Sequence, residues 1–425
     1  MMPIKAIVGA NWGDEGKGRM VDYFAAKADF VVRFQGGSNA GHTIINDHGK
    51  FALRLVPSGI FYPSVINVVG PGTVINLESL VGEIEGLTKA GIEISPKNLQ
   101  ISDRACICFP FHILQDKYEE ERLGKGMFGS TLQGIAPAYG DRYMKYGVQI
   151  GALGDSGVLA DLLGRCLDLK NLIFTEVYKK PKIALSEMLA WADKFGSKLQ
   201  PFVADTSRLL NQAVAAEKQI VLEAQLGALR DVYYGIYPYT TSSNSISGFA
   251  CLGAGIFTYG RPHVTAAVKA FSTCVGEGPF VTEMPVDIAE PFRRRTGEYG
   301  AATGRPRRIG YFDAVATRYG VAIQDASDIA LTKLDNLSGE PALKICTAYD
   351  IDCQHTEKFP SFGALRRAQP VYKEFPGWYE DIQNVREYSA LPANARHYVE
   401  TIEQMIECPI RYVSVGPRRE ALILR

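Results

Sequence analysis

Short apolar runs alternate with amphipathic segments along the start of the chain. The run IKAIVGA (4–10) is rich in β-branched residues and ends at a glycine-rich turn, which predicts a buried strand. After that turn, Met20, Val21 and Phe24 fall on one face of a helix of two to three turns. The run ADFVVRFQGG (28–37) predicts a second strand that again ends in glycines. The pattern therefore predicts strand, turn, helix and strand in succession.

The same alternation continues towards the C-terminus. Further strands are predicted for INVVGPGTVIN (66–76), KNLQISDRACICF (97–109), KQIVLEAQ (218–225) and SDIALTKLD (327–335). Amphipathic helices are predicted for LESLVGEIEGLTKAGI (77–92) and LPANARHYVETIEQMIECP (391–409), the second with Tyr398, Ile402, Met405 and Ile406 on its inner face. This alternation indicates an α/β fold with a large central, mostly parallel mixed sheet flanked by helices. Because no Pro/Gly/Ser-rich linker divides the chain, residues 1–425 are predicted to form a single elaborated domain.

Composition narrows the class of protein. The 425 residues are 46% hydrophobic, which is ample for a sizeable core, and 46 basic residues balance 46 acidic ones. A zero net charge gives no overall field that favours nucleic acid or an anionic membrane. No segment reaches the ~18 consecutive apolar residues of a membrane span. The eight cysteines and six histidines lack metal-ligand spacing, so free thiols in the cytoplasm are expected and a zinc site is not.

The turn after the first strand is similar to a phosphate-binding loop. The Walker A pattern is G-x-x-x-x-G-K-[ST], and here Gly16 and Lys17 match it, whereas Asn11 replaces the first glycine. Lys17 supplies a point charge at a helix N-terminus, which itself favours anions. Backbone N–H groups can approach phosphate oxygens closely at three glycines, namely Gly13, Gly16 and Gly18.

Two acids, Asp14 and Glu15, lie inside this loop. Gly18 stands where a Ser or Thr hydroxyl would hold Mg²⁺, so the cation needs another oxygen ligand, and a carboxylate suits it. A carboxylate beside a transferring phosphate can also act as a general base. A solvated acidic turn is the structural alternative. The density of glycines, acids and a lysine favours the catalytic interpretation.

Two further segments add candidate chemistry. The turn GGSNAGHT (36–43) follows a predicted strand and offers His42, which can donate a hydrogen bond to a developing phosphoryl oxygen. In LTKLDNLSG, Asp335 at a strand end can accept both N1–H and N2–H₂ of guanine, and the stem of Lys333 can lie along the ring. A structural histidine is the alternative for the first segment. Two basic runs, 293–295 and 305–308, read on their own as solvated surface.

Together these motifs resemble the adenylosuccinate synthetase family. The matching segments run in the family's order over nearly the whole chain: WGDEGKG (12–18), NAGHT (39–43), YPYTTSSN (237–244), ATGRPRR (302–308), LTKLD (331–335), PGW (376–378) and SVGP (414–417). The resemblance implies a P-loop GTPase-like fold and a GTP-dependent C–N ligase of AMP biosynthesis. Such an enzyme joins IMP and L-aspartate with the help of Mg²⁺, through a 6-phosphoryl-purine intermediate. It also implies a cytoplasmic homodimer with composite active sites.

The resemblance further implies a role for individual residues. Catalysis would use Asp14, His42 and Lys17. GTP would be bound by Gly13, Glu15, Gly16, Lys17, Gly18, Gly41, His42, Thr43, Lys333, Asp335, Ser414 and Gly416. IMP would be bound by Asp14, Asn39, Thr131, Lys145, Gln225, Thr241 and Arg305. L-Aspartate would be bound by Thr303, Arg305 and Arg307, and Mg²⁺ by Asp14 and Gly41.

The departures from the family pattern fall mostly on the acceptor side. The family's E-G-A-Q-G reads EAQLG (223–227), so the glutamine moves to Gln225 and Leu226 takes its place. The arginine that reaches across the dimer is Lys145. The other departures are Gln133, Tyr233, Tyr234, Ala302 and Pro306. An adenylosuccinate synthetase is the main interpretation. The alternatives are a paralogue that acts on another purine nucleotide (such as GMP or dGMP) or another amine, and a non-catalytic GTP-binding switch.

Overall fold

A computed structural model describes residues 3–46, 48–257, 260–300 and 304–425. Its strands are β1 (Ile4–Gly9), β2 (Phe30–Arg33), β3 (His42–Asn46), β4 (Gly49–Leu53), β5 (Ile66–Val69), β6 (Val74–Ile75), β7 (Leu99–Ser102), β8 (Cys106–Ile107), β9 (Val203–Ala204), β10 (Ile220–Glu223), β11 (His263–Lys269), β12 (Ser272–Cys274), β13 (Arg308–Gly310), β14 (Phe312–Asp313), β15 (Asp328–Thr332), β16 (Ala342–Ile351), β17 (Gln354–Thr356), β18 (Gln369–Pro376), β19 (Ile410–Ser414) and β20 (Leu422–Leu424). Each predicted strand region contains an observed strand.

Helices cover the strands. They are α1 (Lys17–Ala25), α2 (Leu77–Lys89), α3 (Pro110–Leu123), α4 (Ile135–Met144), α5 (Ser156–Leu172), α6 (Leu185–Leu199), α7 (Thr206–Ala215), α8 (Ala250–Ala254), α9 (Val286–Thr296), α10 (Ala314–Ile323), α11 (Phe362–Leu365) and α12 (Ala393–Ile406). The predicted helices correspond to α1, α2 and α12. Among the described residues, no helix is both long enough and apolar enough to cross a membrane.

The central sheet has ten strands in the order β20-β19-β15-β11-β1-β10-β2-β5-β7-β9. All neighbouring pairs are parallel except β19 and β20, which are antiparallel. A smaller sheet is formed by β14, β16, β17 and β18. The predicted α/β class with a large, mostly parallel mixed sheet is confirmed. The single-domain interpretation stays a prediction.

Strand β1 shows why this sheet forms at the centre of the molecule. Ile4, Ala6 and Val8 pack into one buried cluster, whereas Ile7 packs on the opposite face with Met20 of α1. A parallel strand covered by helices on both faces is apolar at successive positions rather than at alternate ones. The continuous run IKAIVG is therefore the sequence signature of a central strand.

The parallel arrangement places the carboxyl ends of nine strands along one edge. The segments after β1, β2, β10, β11, β15 and β19 all leave the sheet there. Ligand sites in open parallel sheets lie at this edge. The phosphate loop, the second glycine turn and the guanine motif follow β1, β2 and β15, respectively. The fold thus brings together motifs that are far apart in sequence.

Candidate functional site

A cavity of about 780 Å³ opens at this edge of the sheet. Its walls include the segments 12–14, 39–41, 129–131 and 240–242, together with Leu226. Gly300, at the base of the loop that carries Arg305, also lines it. Of the predicted site residues, the cavity therefore brings together Gly13, Asp14, Asn39, Gly41, Thr131 and Thr241.

The phosphate loop is held by one of its own acids. Glu15 is 1% exposed, and its Oε1 accepts hydrogen bonds from the backbone N–H groups of Asn11 (3.1 Å) and Gly13 (2.8 Å). Its Oε2 lies 2.5 Å from Nζ of Lys17. Backbone N–H groups and the lysine are the groups that bind phosphate in such a loop. The Glu15 carboxylate therefore occupies donors that suit a phosphate, although the sequence placed Glu15 among the ligands of GTP.

The geometry also explains why Gly18 has no hydroxyl-bearing side chain. A Cβ atom on Gly18 would lie 2.8 Å from Cβ of His42, which is closer than the two atoms can approach. A Ser or Thr at this position would displace the histidine. Gly18 of the phosphate loop therefore contacts His42 directly, and His42 is the first residue of β3.

His42 forms a buried cluster with Glu223 and Arg33. Its Nδ1 contacts Glu223 Oε1, and Arg33 Nη1 lies 2.8 Å from both atoms. Glu223 also accepts hydrogen bonds from the Ser58 hydroxyl (2.6 Å) and the Ser58 backbone N–H (2.8 Å). The Nε2 atom of His42 has no hydrogen-bond partner within the described part of the chain. The carboxylate thus holds the imidazole through Nδ1 and leaves Nε2 available.

The protonation states of this cluster follow from burial and charge. Burial, together with the Arg33 guanidinium, lowers the pKa of His42 to about 4. Burial opposes ionisation of Glu223, but the adjacent Arg33 and His42 outweigh it and lower the pKa of Glu223 to about 2. At neutral pH the cluster therefore contains a neutral imidazole with its proton on Nδ1, beside an ionised carboxylate.

These shifts predict how stability depends on pH. A histidine in an unfolded chain has a pKa of about 6.5, so between pH 6.5 and 4 the unfolded state binds a proton that folded His42 does not. The His42 contribution to the free energy of unfolding is therefore expected to fall across this window, by on the order of 3 kcal/mol, and to level off below pH 4. Urea unfolding from pH 8 to pH 4 of wild type and His42→Asn should show the steeper loss in wild type. Parallel profiles would contradict the assignment.

Asp14 lies in the cavity and is ion-paired with Arg307. The residue has φ 60°, in the left-handed region, and its side chain is 28% exposed. Arg307 is 7% exposed, with Nε 2.9 Å from Asp14 Oδ2 and Nη1 2.5 Å from Glu298 Oε2. Arg307, predicted as an L-aspartate ligand, is thus held by the protein's own carboxylates.

Arg305 is exposed at the cavity rim, and its Nη1 lies 3.4 Å from the Gly129 carbonyl oxygen. Thr303 and Ala302 lie outside the described residues.

The guanine motif lies beside the phosphate loop. The Thr332 hydroxyl, at the end of β15, donates to the backbone carbonyl of Glu15 (2.7 Å). Lys333 follows with φ 59°, and its Nζ contacts Glu298 Oε1. Asp335 lies in a 3₁₀ turn, where burial raises the pKa of its carboxyl group.

Ser414, at the end of the neighbouring strand β19, donates a hydrogen bond to the Gly416 carbonyl (3.3 Å) and contacts the Arg19 guanidinium. The four predicted guanine-site residues therefore follow two adjacent strands.

Gln225, predicted to bind IMP, does not line the cavity. Its side chain is 0% exposed, and its Nε2 donates to the carbonyl oxygens of Gly37 (2.8 Å) and Arg54 (2.9 Å). Leu226, with φ 57°, lines the cavity in its place. That Gln225 contacts the nucleotide stays a prediction, and in this structure its side chain is buried behind the cavity wall. Gln225 instead links the turn after β2 to the segment that follows β4. The cavity wall beside it is the apolar side chain of Leu226.

Lys145 also lies away from the cavity lining. It follows the last residue of α4 in a left-handed conformation (φ 67°), and it is exposed. Its neighbours Tyr143 and Met144 are 65% and 58% exposed. Thr43, the remaining predicted GTP residue, is exposed on β3. Within one chain, Lys145 therefore makes no contribution to the walls that the other acceptor residues share.

Several residues that organise the site were missed by the sequence analysis. Arg33 ends the apolar strand β2, Glu223 ends β10, and Glu298 follows α9. A charged residue at the end of a fully apolar strand is a signal that could have found the first two, because a buried charge needs a partner. Nothing in the sequence around Glu298 distinguishes it from surface acids.

The residues predicted to hold Mg²⁺ fit that cation. Asp14 and Gly41 line the same cavity, and a carboxylate and a backbone carbonyl are oxygen donors of the kind that Mg²⁺ prefers. The cation would offset the negative charge of the nucleotide phosphates there.

One other group of potential metal ligands occurs among the described residues: His112, Asp141 and Cys166. Its polar atoms already have partners within the protein. The Phe109 N–H donates to His112 Nδ1 (2.9 Å), His112 Nε2 lies 2.8 Å from Asp141, and Lys170 Nζ lies 2.6 Å from the same carboxylate. This cluster is a buried ion-pair network in which the lysine supplies the positive charge.

The chain is similar over its whole length to proteins of one family. The family model described as adenylosuccinate synthetase matches residues 6–423. The adenylosuccinate synthetase of Pelotomaculum thermopropionicum is 45% identical over 424 residues, which cover 100% of this chain and 99% of the relative. Adenylosuccinate synthetase 2 of Pseudoalteromonas translucida is 46% identical over 426 residues, with 100% of both chains covered.

Solved structures show the same relationship. Fully ligated adenylosuccinate synthetase from Plasmodium falciparum is 33% identical, covers 100% of both chains and superposes with a TM-score of 0.93. A cyanophage S-2L succinoaminodeoxyadenylate synthetase, bound to dGMP and dATP, is 18% identical with a TM-score of 0.60; it covers 100% of this chain and 95% of its own, and shares the fold. The chain belongs to the adenylosuccinate synthetase family.

Proposed function

We propose that this protein joins IMP and L-aspartate to form adenylosuccinate, with conversion of GTP to GDP and phosphate. The observation that carries the proposal is the junction of a guanine motif, a phosphate loop and a carboxylate, Asp14, at one edge of the sheet. A GTP-binding switch needs the first two features but has no use for a carboxylate in the cavity. Membership in the family favours IMP over other acceptors.

The chemistry requires a poor leaving group to be activated. The 6-oxo group of a purine leaves poorly, but it leaves readily as phosphate once phosphorylated. Asp14 takes the proton from N1, which makes O6 nucleophilic, and O6 then attacks the γ-phosphorus of GTP with loss of GDP. The neutral amine of L-aspartate next attacks C6 and loses one proton to the departing phosphate, and the C6–O6 bond breaks to release phosphate that carries the former O6.

The phosphate side uses groups that Glu15 contacts in this structure. The γ-phosphate would take the backbone N–H groups and Lys17 from Glu15, in exchange for a more highly charged anion. The same negative charge raises the affinity of His42 for a proton, so that Nε2 can donate to the transferring phosphoryl group. Glu223 stabilises the resulting imidazolium through Nδ1. Gly41 and Asp14 would hold Mg²⁺ at the phosphates.

The acceptor nucleotide would lie in the remainder of the cavity. Asn39, Thr131 and Thr241 offer polar groups for its 5′-phosphate, and Leu226 offers an apolar surface for the purine. Lys145 would reach this phosphate from a second subunit, because it lies outside the cavity of its own chain. The exposed Tyr143 beside it provides apolar surface for a homodimer contact, whereas Met144 lines the cavity. Eight free cysteines fit the reducing cytoplasm.

L-Aspartate would be held by Arg305 and Arg307, with Thr303 as a third ligand. Replacing Arg305 with leucine is expected to raise the KM for L-aspartate by about tenfold to a hundredfold with a smaller change in kcat, because one charge-assisted contact to a carboxylate is lost. Steady-state kinetics at saturating GTP and IMP measure this. Arg294→Leu is the control, since its guanidinium is 73% exposed and pairs with Glu290 on the same helix. Equal effects of the two variants on the KM for L-aspartate would show that Arg305 does not bind this substrate.

The proposed function is tested by phosphate release from GTP and Mg²⁺ with L-aspartate and one of IMP, dIMP, GMP or dGMP. We expect release with IMP to dominate and to require L-aspartate, with adenylosuccinate as the product. Release that needs neither second substrate would identify a GTPase switch. Strong release with GMP or dGMP and little with IMP would mean that Leu226 marks a changed acceptor specificity.

A further inference from the structure

Glu298 is the centre of a buried charge network that joins two parts of the site. Its side chain is 0% exposed and contacts three cations. Lys269 Nζ lies 2.9 Å and Arg307 Nη1 2.5 Å from Oε2, whereas Lys333 Nζ contacts Oε1. Each oxygen of the carboxylate therefore holds a different functional residue: one holds the lysine of the guanine motif, and the other holds the arginine on Asp14.

The three cations come from separate elements. Lys269 ends β11, Lys333 follows β15, and Arg307 precedes β13 at the base of the loop that carries Arg305. The backbone reinforces the last contact, because the Arg307 N–H donates to the Glu298 carbonyl (3.0 Å). Glu298 thus clamps the base of the loop by main chain and side chain together.

The Glu298 carboxylate offsets the repulsion between the cations around it. The buried Lys269 and Arg307 and the partly exposed Lys333 (30%) all face Glu298, and Arg307 also pairs with Asp14. Burial opposes the charge on Lys269 strongly enough to lower its pKa to about 7, despite the contact with Glu298. Without the carboxylate, Arg307 and Lys333 would repel each other and lose the partner that fixes their positions.

We propose that Glu298 is a positioning residue that couples recognition of the guanine nucleotide to the binding of L-aspartate. It places Lys333 against the base through one oxygen and sets Arg307 and its loop through the other. This inference rests on the proposed function, since it concerns the same two substrates. The residues proposed for the IMP phosphate, Asn39, Thr131 and Thr241, have no hydrogen bond or ion pair with Glu298. Asp14 and Arg305, which are also proposed for IMP, are reached only through Arg307 and its loop, so the effect on IMP is expected to be the smallest of the three.

Glu298→Gln tests the proposal, because an amide keeps the shape and loses the charge. The KM for GTP and the KM for L-aspartate are expected to rise together by about tenfold each, while the KM for IMP stays within about twofold. The matched control is Glu403→Gln, which removes a partly buried carboxylate on α12 that pairs with Arg425 (2.7 Å), outside the cavity and the Glu298 network. A purely structural role would lower the Tm and leave all three constants alone, which overturns the proposal. A rise in one constant only, or an equal rise for IMP, also overturns it.

A double-mutant cycle tests whether Glu298 affects GTP binding through Lys333 or independently of it. If Glu298 acts on GTP through Lys333, Glu298→Gln should add little to the KM for GTP of Lys333→Met, whereas independent effects would multiply and contradict the proposal. Glu298→Asp, which keeps the charge but shortens the reach, replaces Glu298→Gln should the latter fail to fold, and the same paired rise is expected. An inactive wild type would refute the proposed function itself, whereas an active wild type with normal constants in both variants would refute this inference alone.

Discussion

Replacing Asp14 with asparagine is expected to lower kcat by about a thousandfold or more while leaving GTP binding largely in place. General-base catalysis contributes about 10²- to 10⁴-fold, and an amide cannot accept the N1 proton. The same side chain is a proposed Mg²⁺ ligand, which adds to the loss. GTP affinity should change little, because the guanine motif and Lys17 are untouched. Single-turnover phosphate release measures the first quantity, and titration calorimetry with GTP in the absence of the cation measures the second.

The control for this experiment is Asp29→Asn. Asp29 precedes β2 at the opposite edge of the sheet, where it accepts from the Gln219 N–H (2.8 Å) and pairs with Lys218 (3.3 Å). It carries the same chemical change far from the cavity, so its kcat should match wild type. Normal turnover by Asp14→Asn would show that another group accepts the N1 proton.

Replacing Asp335 with asparagine is expected to lower kcat/KM for GTP by about a hundredfold. The carboxylate can accept hydrogen bonds from both N1–H and N2–H₂ of guanine, and an amide replaces one acceptor with a donor. The amide complements xanthine instead, because the 2-oxo group of that base accepts where guanine donates. Preference should therefore move from GTP towards XTP. The ratio of kcat/KM for the two nucleotides, measured with IMP and L-aspartate saturating, gives the result.

Glu340→Gln is the matched control for the guanine site. Glu340 lies five residues beyond Asp335, and its carboxylate contacts Arg295 rather than the cavity. Its loss should leave the ratio of GTP to XTP unchanged. A retained GTP preference in Asp335→Asn, equal to that of this control, would mean that the base is read by other groups.

The sequence predicted the fold well where one element carries a complete signal. The apolar run of β1, the inner face of α12 and the glycine turn before α1 each depend on local residues, and the structure has all three. Parallel pairing then places the loops at one edge without further information. The order of the ten strands could not be predicted in this way. It depends on contacts between residues more than two hundred positions apart, such as Ile4 and Ile220.

Residues that act through partners were harder to predict. Glu15 was expected at GTP, but it binds the N–H groups of its own loop, because a buried carboxylate needs donors before any ligand arrives. Gln225 is predicted to bind IMP, whereas in this structure Leu226, with its left-handed conformation, lines the cavity. Glu298 was not noticed, since its partners lie 29, 9 and 35 residues away. A single sequence contains no record of such pairings.

The most direct test of the central claim follows the oxygen on C6 of the purine. The protein is incubated with GTP, Mg²⁺, L-aspartate and IMP labelled with ¹⁸O at position 6, and the released phosphate is analysed by mass spectrometry. Attack of O6 on the γ-phosphorus predicts one ¹⁸O atom in each phosphate, formed in equal amount with adenylosuccinate. Unlabelled phosphate would show that water, rather than the purine, accepts the phosphoryl group, and would contradict the mechanism proposed for Asp14 and His42.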